Sequence, residues 1–168
     1  MRLLIGIVGL FFMCVSCAEH NSAYLNQISN LQHRLETANK AYDKIDSLEI
    51  STVRKTVKSN SILATELGNK NLEKTLIPYS HINKTLKQIL RMDKVIRDDY
   101  SRSISQLDAL YHDVENNIIK EEVFKNYLLE EKMIAESIIE RMEFNTQRVT
   151  NELQKFDSLN PIILEHLR

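Results

Sequence analysis

Asp108, His112 and Glu115 stand at spacings of four and three. On a helix they would share one face and could offer an imidazole nitrogen and two carboxylates to a metal ion. The same spacing also makes up the solvated side of any amphipathic helix, which is the plainer reading. Glu136, Glu140 and Glu143 form a second acidic ridge open to the same two readings. A carboxylate-held metal pair inside a bundle needs Glu-x-x-His motifs turned to the core, and none of the five histidines has a glutamate three residues before it. No metal or cofactor is therefore expected. The chain also lacks Gly-x-Ser-x-Gly, a phosphate-binding glycine loop, a dinucleotide fingerprint and His-Glu-x-x-His, so no catalytic residue is assigned and no enzyme is expected. Tyr24, Tyr42, Tyr100 and Tyr111 fall on apolar seams, where a half-buried ring with its hydroxyl at the edge is ordinary. A ligand cage is the lesser reading.

The thiol with the most informative setting is that of Cys17. Arg2 gives a short positive start, residues 3–13 are an unbroken apolar run, and Val15, Ser16, Cys17 and Ala18 close it. This is the pattern of a secretory signal with its cleavage site, and the run is too short to span a bilayer. The stretch resembles the lipobox of bacterial lipoprotein precursors, although Cys14 stands where that family usually has Leu, and Val15 is bulkier than its commonest neighbour. The resemblance implies that Cys17 receives a diacylglyceryl group on sulfur and that residues 1–16 are removed. Cys17 then becomes the lipidated first residue, with a further acyl chain such as palmitate on its amino group. Ala rather than Asp after the cysteine implies outer-membrane residence within the envelope. The alternative is a plain secreted protein in which Cys17 is a small residue near the cut.

Setting aside residues 1–16 sharpens the composition. Gly68, Pro78 and Pro161 are then the only glycine and prolines, and Cys17 is the only cysteine, so neither an intrachain disulfide nor a cysteine metal cluster can form. Sheets need frequent turns, and their near absence argues for a few long helices. The 21 basic and 23 acidic residues left give a formal charge of −2 with no basic stripe, so no nucleic-acid partner is expected.

The elements that must position these groups follow from apolar spacing. Residues 18–22 read as a tether, with Asn21 or Ser22 able to cap the first helix. Tyr24, Ile28, Leu31, Leu35, Ala38, Tyr42 and Ile45 alternate steps of four and three, the spacing of a coiled-coil seam. The phase slips after Ile45, and residues 59–61, Ser-Asn-Ser, predict a bend or local unwinding. Gly68 predicts the helix end. Pro78 opens the next helix, whose seam runs through Ile82, Leu86, Ile89, Ile96, Tyr100, Ile104, Leu107, Tyr111, Val114 and Ile118, and Asn116-Asn117 marks its end. A third seam includes Phe124, Leu128, Ala135, Ile138, Met142, Val149, Leu153, Phe156 and Leu159. Glu131 and Asn145 interrupt it, which predicts that Asn145 marks an interface with another helix, from a partner or a second copy. The alternative is a slight rotation that moves both to the solvent edge and brings Ile134 and Leu153 inward. Asn160-Pro161 reads as a cap and first residue of a short last helix.

The expectation is thus an all-α, elongated antiparallel helical bundle or coiled coil of about three long helices. A signal would occupy residues 1–16 and a lipidated tether residues 17–22. A single helical domain would occupy 23–168, with helices at about 22–67, 79–118, 121–159 and 161–167. The function expected is that of an envelope lipoprotein, held to the lipid bilayer through Cys17, serving as a structural or interaction module with an unidentified protein partner or a second copy. A ligand-binding bundle, taking a hydrophobic molecule or a metal, is the alternative.

Overall fold

Apolar residues recurring every three or four positions fold into four helices: α1 (Arg2–Tyr42), α2 (Ser47–Glu66), α3 (Glu73–Glu115) and α4 (Glu121–His166). The structure is a computed structural model; it describes the backbone of residues 2–68 and 72–167 and the side chains of residues 21–68 and 72–167. The fold is an all-α helical bundle, as the seams predict, with four helices rather than three long ones and no strand among the described residues. The side chains of residues 1–20, and with them the expected signal and the expected lipidation at Cys17, lie outside the described residues. Asn21 and Ser22 lie within α1, where a tether and a cap were expected.

The predicted helix over 22–67 is two helices. α1 ends at Tyr42, and Asp43, Lys44 and Ile45 donate backbone hydrogen bonds to Asn39, Ala41 and Tyr42 at 2.8, 3.4 and 3.1 Å. Asp46 then takes an extended backbone conformation (φ −82°, ψ 102°), and its carboxylate accepts from the amides of Leu48 and Glu49 at 2.7 and 3.2 Å. That cap satisfies donors which the first turn of α2 would otherwise leave open. α2 runs straight through Ser59, Asn60 and Ser61, where the break was expected, because Asn60 falls on the inward stripe of Ile50, Val53, Val57 and Ala64 and finds polar partners there. Gly68 ends this segment in the left-handed region (φ 62°), its amide donating to Thr65 at 3.1 Å, as its lack of a side chain allows.

α3 begins at Glu73 rather than at Pro78, so Pro78 lies inside the helix. Its closing turn follows the Schellman pattern: Asn117 is left-handed (φ 55°) and donates to Val114 at 3.2 Å, and Ile118 donates to Asp113 at 2.8 Å. The predicted stop at Asn116-Asn117 is therefore where α3 ends. α4 runs on to His166 with Pro161 inside it, so the short helix expected over 161–167 is not separate. Pro161 and Asp157 are exposed, and water can take the Asp157 carbonyl that lacks a proline N–H to accept.

The described chain divides into two compact units, one of Met1–Thr37 and Asp99–Ile138, the other of Ala38–Asp98 and Ile139–Arg168. The first buries Ile28, Leu31, Leu35, Leu107, Phe124 and Ile138. Tyr24 covers Phe124 with ring centroids 4.6 Å apart. The second buries a continuous cluster that includes Ile50, Val57, Leu72, Tyr79, Leu86, Ile89 and Ile163. Each fully buried aliphatic side chain contributes about 1.5–3 kcal/mol, so these stripes carry the fold.

Candidate functional site

The charged groups singled out by spacing do not converge. Asp108 accepts from the side-chain amide of Gln32 at 2.6 Å, while His112 is exposed and lies 3.9 Å from Asp113 rather than beside Asp108 or Glu115. Among the described residues no three His, Cys, Asp or Glu side chains gather as metal ligands would. Glu136 is gripped at both oxygens by the Arg34 guanidinium, at 2.6 and 2.8 Å. This pair holds the Glu136 carboxyl below its ordinary range and pushes Arg34 upward, in each case chiefly through the hydrogen bonds. Glu140 and Glu143 are exposed. Tyr24 is half-buried and donates to Glu121 at 3.1 Å, and Tyr100 and Tyr111 are half-buried as expected.

Asn145 is the residue that the structure relocates. It is only 1% exposed, and its amide donates to the Tyr42 hydroxyl at 2.7 Å and to the Ile89 carbonyl at 3.4 Å. Its neighbours are thus α1 and α3 of the same chain, so neither the intermolecular interface nor the solvent edge expected from sequence is correct. The α4 stripe is continuous through Phe124, Leu128, Glu131, Ala135, Ile138, Met142, Asn145, Val149, Glu152, Phe156, Leu159 and Ile163, and it keeps its phase without rotating. Around Tyr42 the second unit builds a polar junction. The Arg97 guanidinium lies 5.3 Å over the Tyr42 ring, its Nε donates to Asp93 at 3.0 Å, and its Nη1 donates to Asp43. Burial pushes the Tyr42 phenol up to about 12; the Asn145 amide opposes this and the Asp93 carboxylate adds to it. Such a hydroxyl stays protonated near neutrality and cannot serve as a base there. What the junction does is hold the end of α1 to one place on α3 and α4.

A second polar group spans α2, α3 and α4 in the same unit. Tyr79, fully buried, donates to the Asn160 side-chain oxygen at 2.6 Å, and the Asn60 amide donates to Tyr79 and to Asn160 at 3.2 Å each. The Tyr79 ring stacks on Phe156 at 6.3 Å.

No family model, curated protein or solved structure matches the chain.

Sequence reasoning missed Asn60, Arg97, Asp43 and Glu152. Glu152 is 6% exposed and meets Lys155 at 2.6 Å. Counting seven residues on from Asn145 would have found it beside Leu153, which packs against the core as the seam predicted. Nothing in the spacing of Arg97 and Asp43 announces their contact, because it crosses between distant helices. In the first unit, Glu131 has one buried oxygen and Ser103 a buried hydroxyl that find no hydrogen-bond partner. Burial, with Glu130 beside it, raises the Glu131 carboxyl above its ordinary value. A surface groove of about 200 Å³ lies over Leu31 and Leu128, rimmed by Gln27, Asn30, Arg34 and Lys132.

Proposed function

We propose that the chain is a bacterial envelope lipoprotein, acylated at Cys17, whose helical bundle acts as a structural or protein-interaction module rather than as a catalyst. The observation that carries this reading is the apolar run of residues 3–13 closed by Val15, Ser16, Cys17 and Ala18. Two facts agree with it. Among the described residues no helix is long and apolar enough to cross a membrane. The buried junctions around Tyr42 and Tyr79 spend their polar groups on one another, as a scaffold does. Two or more acyl chains, at about 0.8 kcal/mol per buried methylene, hold a protein to a bilayer stably where one binds reversibly. Ala18 places the protein in the outer membrane on this reading, with a protein partner or a second copy as its target. Mass spectrometry of protein extracted from the envelope tests it. A diacylglyceryl-modified Cys17 at the amino terminus is expected, and an unmodified Cys17 on freely soluble protein overturns the assignment.

The groove over Leu31 and Leu128 favours a second reading, a ligand-binding bundle. Its volume of about 200 Å³ is below the 300–1,000 Å³ of usual small-molecule sites, which ranks this reading second. Native mass spectrometry of purified protein would reveal a retained ligand.

A further inference from the structure

The turn between α3 and α4 presents an apolar residue that its own motif leaves uncovered. In a Schellman turn the residue after the left-handed position commonly packs back on the last helical turn. Here that residue is Ile118; the residues it would meet are His112 and Asp113, and Ile118 is 64% exposed. Val123 and Tyr127, at the start of α4, are exposed as well. Asn21 ties the start of the described α1 side chains to this same turn, its amide donating to the Asn117 side-chain oxygen at 2.7 Å and to the Val114 carbonyl at 3.4 Å.

Cys17 precedes Asn21 by four residues, a distance of about 6 Å if helical and at most about 14 Å if extended. The headgroup layer on each side of a bilayer is about 5–7 Å thick. A lipid on Cys17 would therefore leave the Asn117–Ile118 turn little room to stay clear of the membrane surface.

We propose that the α3–α4 turn, led by Ile118 with Val123 and Tyr127 behind it, is a second membrane contact that sets the bundle's first unit against the bilayer. This rests on the lipidation of Cys17. The lipid supplies the affinity, and the turn fixes the orientation. Ile118 enters the edge of the hydrocarbon, and Tyr127 takes the headgroup level, where aromatic rings with a polar tip collect. Glu115, Glu121 and Glu122 are exposed near the turn, against Lys120 and Lys125, the latter paired with Glu121 at 2.7 Å. That balance suits zwitterionic headgroups and keeps the contact shallow.

The test uses the lipidated protein in phosphatidylcholine vesicles. Because the lipid occupies Cys17, an Ile118→Cys variant offers a unique thiol for a polarity-sensitive fluorophore. Met133→Cys serves as the comparison, since Met133 is also exposed and lies about 18 Å along α4 from Glu121. The expected result is flotation of both variants with the vesicles. Only the label at 118 should shift to the blue and lose intensity to spin-labelled lipid. Flotation with the 118 label still in water overturns the contact and leaves the anchor standing. A blue shift insensitive to spin-labelled lipid assigns the site to a second copy or another protein, and equal quenching at both positions means the unit lies flat; each overturns the proposal. Protein that does not float, with unmodified Cys17, overturns the contact and the anchor together.

Discussion

The Tyr42 hydroxyl and the Asn145 amide are worth more together than either is alone. Tyr42→Phe leaves the amide with only its 3.4 Å contact to Ile89, and a buried donor stripped of its partner costs about 1–3 kcal/mol. Asn145→Ala removes the donor and leaves a gap. Urea unfolding of both single variants and the double variant should give a coupling of about 0.5–3 kcal/mol, and additive losses would mean the hydrogen bond contributes nothing. The same hydroxyl sets an alkaline limit. Its folded value, about 12, exceeds the ordinary 10.0, so above pH 10 the unfolded chain gives up its proton first and binds fewer protons than the folded one. The stability this group contributes is thus complete below pH 10 and is lost as pH rises through 12. Burial raises the Tyr79 phenol as well, so ultraviolet titration should show late tyrosines whose amplitude drops by one in Tyr42→Phe, and stability of that variant should fall less over the same range. Glu131 acts toward the acid side. Burial raises its folded value, so its protonated form favours the folded state below the ordinary carboxyl range, and that advantage is lost as pH rises through the folded value. Glu131→Gln should melt higher than the parent at neutral pH, with the gap closing in acid. A gap that persists in acid would show that charge is not the cause.

Among the elements, α2 depends on the cap that starts it. Asp46→Ala removes the acceptor for the Leu48 and Glu49 amides and should cost about 0.5–2 kcal/mol in chemical denaturation. Asp46→Asn should restore most of it, and a loss unaffected by Asn would point to charge rather than capping. The cap is legible in the chain itself: Asp46 with Glu49 three residues later, ahead of an apolar stripe, is a helix-start signal. The continuous seam of α1 masked it, because three-and-four spacing carries through Ile45 without showing that the chain has stopped being helical. The ends at Gly68 and Asn117 were legible because left-handed backbone needs particular residues. The prolines misled for the opposite reason. Pro78 and Pro161 each remove one backbone donor and crowd the carbonyl four residues earlier, yet α3 and α4 continue through them. Of the polar groups, the seam disclosed Asn145 as an anomaly but not its partner, since Tyr42 precedes it by 103 residues.

For the whole molecule, stability should come from apolar stripes and buried amide contacts rather than from surface charge. The cross-helix ion pairs Arg34–Glu136 and Arg97–Asp43 have side chains 38–48% exposed, and pairs of that kind are worth about 0–1 kcal/mol each. Thermal unfolding of a chain beginning at Ala18, followed by circular dichroism, should begin from a helical spectrum. Its midpoint should differ little between low salt and about 1 M salt, where the screening length is only about 3 Å. A large fall in salt would assign the stability to the ion pairs instead. The junction at Tyr79 carries a consequence on the longer scale of chemical ageing. Asparagine side chains deamidate when the nitrogen of the following peptide attacks the side-chain carbonyl, closing a five-membered ring. The residue after Asn160 is Pro161, whose nitrogen has no hydrogen to lose and is already closed in its own ring. The acceptor for the Tyr79 hydroxyl is therefore shielded from conversion to aspartate by the residue that interrupts the α4 hydrogen bonding, and the core amide outlasts asparagines that precede an ordinary peptide N–H.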